Sequence, residues 1–537
     1  MSKGFRQSQS FLHTWSGLLL GWVLFIVFVA GTIAFWREGL NRYMRPELPR
    51  VEQPMRVLAG AQRFLQGKAP GAKSWSIAMP WARMPGATVF WQPQPKPGET
   101  RGRGRGGRGR RDTQALIAAD GLPATVRDTR GGEFFYRFHF DLHYMPVIFA
   151  RWIVGIATML MLVAILSGIV THKKIFRDFF TLRRGKGQRS WLDGHNATGV
   201  LALPFHLMIT YTGLVTLMAM LMPWAVVANY TDRDAVNDAL FPHAAEVERS
   251  GRPAPLVDLA ALVPDAERRL GGPVGFIEVR QPGDAMARVT MTRASSSMLS
   301  SHAPRVTFDG VTGTALWRSP APGGAALTAG AMVGLHAGRF ADTTMRWLYF
   351  LCGIGGTLMV ASGLVLWTVK RREKLPDPAR PPLGFRLVER LNIAVVGGFP
   401  LGIAAMLWAN RLLPVGGRGR AETEVHMLFL AWGAAALLSL GLQPGWAWAA
   451  LLGATGAVLA LLPLYNAVAG QRGIPVAMAQ GDMLFVGVDL TLLAFGLALL
   501  AVAARVLRHR PSARRARARR AAPAGVMTDE AVPEPAE

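Results

Sequence analysis

His13-Thr-Trp-Ser-Gly17 opens one long apolar stretch, and His195-Asn-Ala-Thr-Gly199 opens another. In both, a further glycine follows 18 residues after the histidine, at Gly31 and Gly213. Two other apolar stretches also match each other. Leu142-His143 precedes Arg151-Trp152 and Ser167-Gly168, while Leu335-His336 precedes Arg346-Trp347 and Ser362-Gly363, with the same arginine-to-serine spacing in both. The pattern reads as an internal duplication that carries its histidines with it. An imidazole is costly in a lipid-spanning helix, so four in related positions point to a bound group rather than to packing.

Working outward from these stretches, half of the 537 residues are apolar and they fall in long runs. Eight spans are expected, at 13–35, 147–171, 197–222, 345–369, 391–413, 425–442, 446–466 and 484–505, each near the roughly 20 residues that cross a bilayer as a helix. The net charge of +26 comes from lysines and arginines concentrated in alternate loops. Lys173, Lys174 and Arg177 follow the second span, Lys370, Arg371 and Arg372 follow the fourth, and arginines crowd 505–520. By the positive-inside rule this puts both termini in the cytoplasm of a multi-pass membrane protein. The distribution is that of a membrane protein and speaks against nucleic acid as a partner; the lipid bilayer is the first partner expected.

Two connecting loops, 36–146 and 223–344, are long enough to fold on the outer side. Helical patterning at Arg56–Leu65 and Leu256–Leu270 is followed by strand-like text. The strands are expected at Ala87–Trp91, Phe134–Phe138, Val274–Val279, Ala287–Thr292, Arg305–Phe308 and Thr314–Trp317. The fold class expected is an all-α membrane protein with α+β periplasmic modules, in which span, module and span are used twice. The duplicated core covers 1–372, a cytoplasmic linker 373–390, four additional C-terminal transmembrane helices 391–506, and a disordered tail 507–537. Arg101–Arg111, an arginine–glycine tract, reads as an insertion in the first outer loop. Cys352 is the single cysteine, so no disulfide within the chain, no covalent haem attachment and no thiolate cluster are possible.

In this topology His13 and His195 come to one depth, and His143 and His336 meet at the other face. Paired neutral imidazoles in an apolar bundle suit bis-histidine ligation of a b-type haem, which makes all four metal-ligand candidates and two haems the expectation, on the order of 20 Å apart. Gly17, Gly199, Gly31, Gly213, Gly168 and Gly363 would leave room for a flat macrocycle. Arg151, Arg346 and Arg339 could pair with its carboxylates. His172 and His206 have no counterpart in the repeat, and either could replace one of the four ligands. His139, His243, His302, His426 and His509 are expected at the surface or in loops. No nucleotide-binding glycine fingerprint is present, so an electron donor would be a cytoplasmic or membrane partner. Two other readings stand beside the redox one: a proton-coupled transporter using the intramembrane histidines, and a regulatory or scaffold protein acting through its outer modules.

Several of these segments carry a family likeness: Leu12-His13 with Gly17, Gly168 with His172-Lys-Lys-Ile-Phe176, Trp191-Leu-Asp with His195-Asn196, Leu203-Pro-Phe-His206, Leu335-His336 with Gly338-Arg-Phe340, and Arg346-Trp-Leu-Tyr-Phe350. Over about 1–372 the chain resembles the PepSY-associated transmembrane helix family, and within it the iron-uptake branch of siderophore reductases. The resemblance implies a four-helix dihaem core with PepSY-like modules outside. It also implies reduction of a ferric siderophore or other ferric chelate in the periplasm. The arginine–glycine tract and residues 391–506 depart from the minimal pattern.

Overall fold

The computed structural model describes residues 4–48, 53–81, 83–84, 86–94, 113–118, 120–171, 187–230, 232–470 and 472–508. His172, His509, the arginine–glycine tract and most of the C-terminal tail lie outside the described residues. Helix α1 (Phe5–Leu19) runs into α2 (Gly21–Ala34) across a 66° bend. A short α3 (Arg37–Tyr43) and α4 (Pro54–Lys68) lead to strands β1 (Ser74–Ala78), β2 (Ala87–Gln92) and β3 (Gln114–Ile117), then to α5 (Gly131–Asp141) and the straight α6 (Val147–Thr171). The plan recurs. Helices α7 (Gln188–Leu201) and α8 (Leu203–Thr216) meet at a 68° bend. Then come α9 (Leu259–Leu270), β4 (Val274–Arg280), β5 (Arg288–Arg293), β6 (Arg305–Asp309) and β7 (Ala315–Arg318), followed by α10 (Gly324–Ala337) and α11 (Thr343–Arg372).

Both bends fall seven residues after the opening histidine, at Leu20 and Ala202. Pro204 explains the second: with no N–H it cannot continue the ladder, and its ring crowds the carbonyl one turn back. The spans expected at 13–35 and 197–222 are therefore broken helices. Among the described residues six helices are long and apolar enough to cross a membrane, and as many as eight cross if each bent pair is one span. The chain is thus a multi-pass membrane protein.

The two outer loops do not form separate modules. Strands β1 and β4 pair antiparallel, with Ile77 opposite Ile277 and Trp75 opposite Val279. This joins everything into one seven-stranded sheet of order β3-β2-β1-β4-β5-β6-β7. Alternation puts Trp75, Ile77, Val89, Val279, Val289 and Phe308 into one core with Leu58, Leu65, Leu262 and Val263 of α4 and α9. Gln62 ties the two helical layers, donating to the Val257 carbonyl at 3.0 Å and accepting from the Leu259 N–H at 2.9 Å.

Phe134–Phe138, expected as a strand, is helical. Its buried aromatics are Phe134, Phe135 and Phe138, a spacing that makes one face of a helix, and Glu133 and Arg137 pair one turn apart. The segment expected as linker contains α12 (Leu383–Asn392), which passes through a π turn at Ile393–Gly397 into α13 (Phe399–Leu412). Pro400 has no N–H to give the preceding turn, and the looser turn accommodates that loss. Helices α14 (Arg420–Gly441), α15 (Pro444–Ala469) and α16 (Met483–Arg508) complete the C-terminal group. They pack on the first half of the core through Phe25, Tyr43, Phe135 and Phe138 against Phe399, Leu428 and Phe485.

Candidate functional site

Four histidines are held by one repeated device. On α1, His13 Nδ1 lies 2.8 Å from the Ala164 carbonyl of α6, and a Cβ on Gly168, one turn along, would fall 3.2 Å from its ring. His195 on α7 does the same with the Met359 carbonyl, at 2.9 Å, and Gly363 of α11. His139 of α5 reaches the Val27 carbonyl of α2 at 2.7 Å, and a Cβ on Gly31 would fall 2.6 Å from it. His336 of α10 reaches the Ile209 carbonyl of α8 at 3.0 Å, beside Gly213. A carbonyl only accepts, so the proton of each ring sits on Nδ1 and the lone pair on Nε2. A carbonyl held against Nδ1 in this way fixes the orientation in which the ring presents its other nitrogen.

The device produces two facing pairs. His13 and His195 have ring centres 6.1 Å apart, with planes at 71°. His139 and His336 have centres 6.0 Å apart, with planes at 37°. Two imidazoles binding one metal from opposite sides at a metal–nitrogen distance of about 2.0 Å would have centres about 6.3 Å apart. Both pairs match that separation. The first, distal to the sheet, lines an open cleft with Gly199, His206 and Met359. The second lies on the sheet side, because α10 leaves β7 and is capped by the 295–303 loop, whose Leu299 carbonyl sits against Gly334 and whose His302 sits against Gly330. Tyr349, whose hydroxyl donates to the Leu335 carbonyl beside His336, and Met359 share α11, ten residues apart. That places the pairs roughly 15 Å from each other along the helix.

The expectation that His143 meets His336 is corrected: His139 takes that place. Helix α5 ends at Asp141, and Leu142 and Tyr144 both have positive φ, at 50° and 58°. The chain turns sharply there and carries His143 onto Phe429, where the two rings stack at 5.4 Å. Twelve residues separate His139 from Arg151 but ten separate His336 from Arg346. Matching the two Leu-His dipeptides therefore aligned the wrong histidine.

The other candidates are placed as follows. Arg151 is held by Asp141 at 2.8 Å. Arg346 is buried, donates to the Phe35 carbonyl at 2.8 and 2.5 Å and lies over the Trp36 ring. Arg339 is exposed. Gly31, Gly168, Gly213 and Gly363 seat the imidazoles. A Cβ on Gly17 would meet nothing within 4 Å, and Gly199 lines the cleft. His243 and His426 are exposed; His302 stacks on Phe241 with ring centres 5.0 Å apart. His206 is buried beside the cleft. No cluster of three or more His, Cys, Asp or Glu able to hold a bare metal ion occurs among the described residues. Two imidazoles suit a metal that arrives with its remaining ligands.

Residues 11–370 match the family model described as the PepSY-associated TM region. An uncharacterized protein of Pseudomonas aeruginosa, PA4219, is 31% identical over 369 residues, covering 65% of this chain and 89% of its own length. Its name assigns it no activity.

Proposed function

This chain belongs to the PepSY-associated TM region family, and from that premise we propose that it is a two-haem membrane oxidoreductase. It would carry electrons across the bilayer to reduce ferric siderophores or other ferric chelates at the sheet side. The observation that carries the reading is the pair of facing histidine pairs, each ring anchored through Nδ1 and seated over a glycine. Haem held by such pairs supplies one-electron transfer. His13 and His195 would hold the distal group, and His139 and His336 the sheet-side group. The anchoring carbonyls of Ala164, Met359, Val27 and Ile209 hold a proton on Nδ1 of each ring and so fix its orientation. Gly168, Gly363, Gly31 and Gly213 allow the rings to sit close to the partner helix.

We read the core as two tandem copies. Val27 and Gly31 precede Ile209 and Gly213 by one constant offset, and Ala164 and Gly168 precede Met359 and Gly363 by another. In this reading His139 is the counterpart of His336. Reduction suits the chemistry of the substrate class: ferric iron is held by hard oxygen donors, which fit ferrous iron less well, so one electron loosens the chelate. The bilayer orientation follows from the basic loops, with both termini cytoplasmic and the sheet in the periplasm of an inner-membrane protein.

The deciding experiment is a pyridine haemochrome assay on the purified full chain, followed by mixing the dithionite-reduced protein with a ferric hydroxamate chelate. Two haems per chain and reoxidation by the chelate are expected. A colourless protein made in haem-replete cells would overturn the proposal.

A further inference from the structure

His206 is fully buried, and neither of its ring nitrogens has a hydrogen-bond partner. A backbone interaction with Cys352 falls short of hydrogen-bond geometry. Leaving a buried polar group unsatisfied is costly, and native structures rarely do so without a reason. The ring lines the same cleft as His13 and His195. It also stands one helical turn before Ile209, the acceptor of His336, and Phe28 meets it edge-on at 6.2 Å. Phe28 follows Val27, the acceptor of His139. His206 is therefore placed between the two pairs, on the wall of the distal one.

The corresponding residue of the first half is Leu24, packed with Ala157, Met161 and Ile165 in an apolar cluster. Around two otherwise matched pairs, an imidazole stands on one side where a leucine stands on the other. Hydrogen bonding and polarity near a bound redox group are principal levers on its potential.

We propose that His206 is a positioning residue that makes polar contact with the group held by His13 and His195, and thereby sets its reduction potential apart from that of the group held by His139 and His336. The inference rests on the reading of the pairs as haem sites. It assigns His206 a role other than ligand.

The test is a potentiometric titration of the full chain, followed by visible absorption, with haem per chain counted in parallel. His206→Leu copies the first half and is expected to keep two haems, displace one reductive midpoint and leave the other in place. His206→Asn, which restores a polar group, should bring that midpoint part of the way back. Unmoved midpoints, or two that move together, overturn the inference; so does loss of one haem per chain, which would make His206 a ligand. Should the leucine variant fail to fold, the asparagine variant alone decides, since a single displaced midpoint supports the contact and none overturns it. Wild-type protein without haem would instead overturn the parent reading, a result visible before any variant is made.

Discussion

In the core, His13, His195, His139 and His336 are each tied by one ring nitrogen to a backbone carbonyl, and they face one another in pairs across about 6 Å. In the helices that follow, buried acidic, arginine and amide side chains bond to one another and to residues of the core. Glu424 is fully buried and accepts from Arg420, from Asn410 at 2.8 Å and from Thr129. Asp482 takes Arg42 at 2.5 Å and Arg472 at 3.1 Å, and Asp489 takes the Tyr43 hydroxyl at 2.6 Å and Asn466 at 2.9 Å. Arg42, Tyr43 and Thr129 belong to the core, so this network fastens the C-terminal helices to it. The difference separates a region of facing imidazoles from one whose ion pairs and hydrogen bonds join two parts of the chain. Broken ion pairs inside a protein are expensive, which makes such networks good at fixing one relative placement.

The comparison breaks first at the histidines. Replacing His139 or His336 by alanine is expected to remove one of two haems, and replacing both His13 and His139 to remove both, read by pyridine haemochrome. His143→Ala should keep two; if it loses one while His139→Ala does not, the pairing described here is wrong. Next come the glycine seats. Gly168→Leu and Gly31→Leu should each lose most of one haem with all histidines present, because a Cβ alone would press on His13 or His139. Gly17→Ala should be silent, since nothing lies within 4 Å of the added carbon.

A smaller effect is expected across the divide. Arg420→Ala leaves the Glu424 carboxylate buried without its cation and should cost about 3–5 kcal/mol of stability, seen as a lowered detergent melting temperature, with two haems per chain at low temperature. A drop in haem count there would show that the two regions are not independent. The smallest effect concerns the sheet. Burial alone would raise the Asp284 carboxyl, but N–H donors from Met286, Ser250 and Gly251 and the Ser250 hydroxyl outweigh it and hold the group down at about 2. Its folded value is below the unfolded one of about 3.9, so its contribution is full above that pH and is lost as pH falls towards 2. Asp284→Asn should flatten the acid limb of sheet unfolding between those values, followed by tryptophan fluorescence; an unchanged limb would assign acid sensitivity elsewhere.

Much of this was legible in the chain. Apolar runs of membrane-spanning length, basic loops and alternating strands in 274–318 each have a local cause, and the positions of β4 to β7 follow from period-two patterning alone. Phe134–Phe138 misled because five residues dense in aromatics suit a strand and a helix equally until the neighbours that bury them are known. His139 was missed for a related reason. Identity of a Leu-His dipeptide outweighed a two-residue change in the turn before α6, and the positive φ values that reveal the turn are not written in the residue types.

The sequence by itself determined that the chain lies in a membrane, that glycines and histidines recur along it, and where the spans and the strands of 274–318 fall, since these rest on transfer energy and short-range periodicity. The tertiary structure alone decided that two outer modules share one sheet, that His336 faces His139, and that Glu424, Asp482 and Asp489 find their partners. Those outcomes depend on which surfaces meet across hundreds of residues, where packing and mutual desolvation, rather than local preference, set the energy.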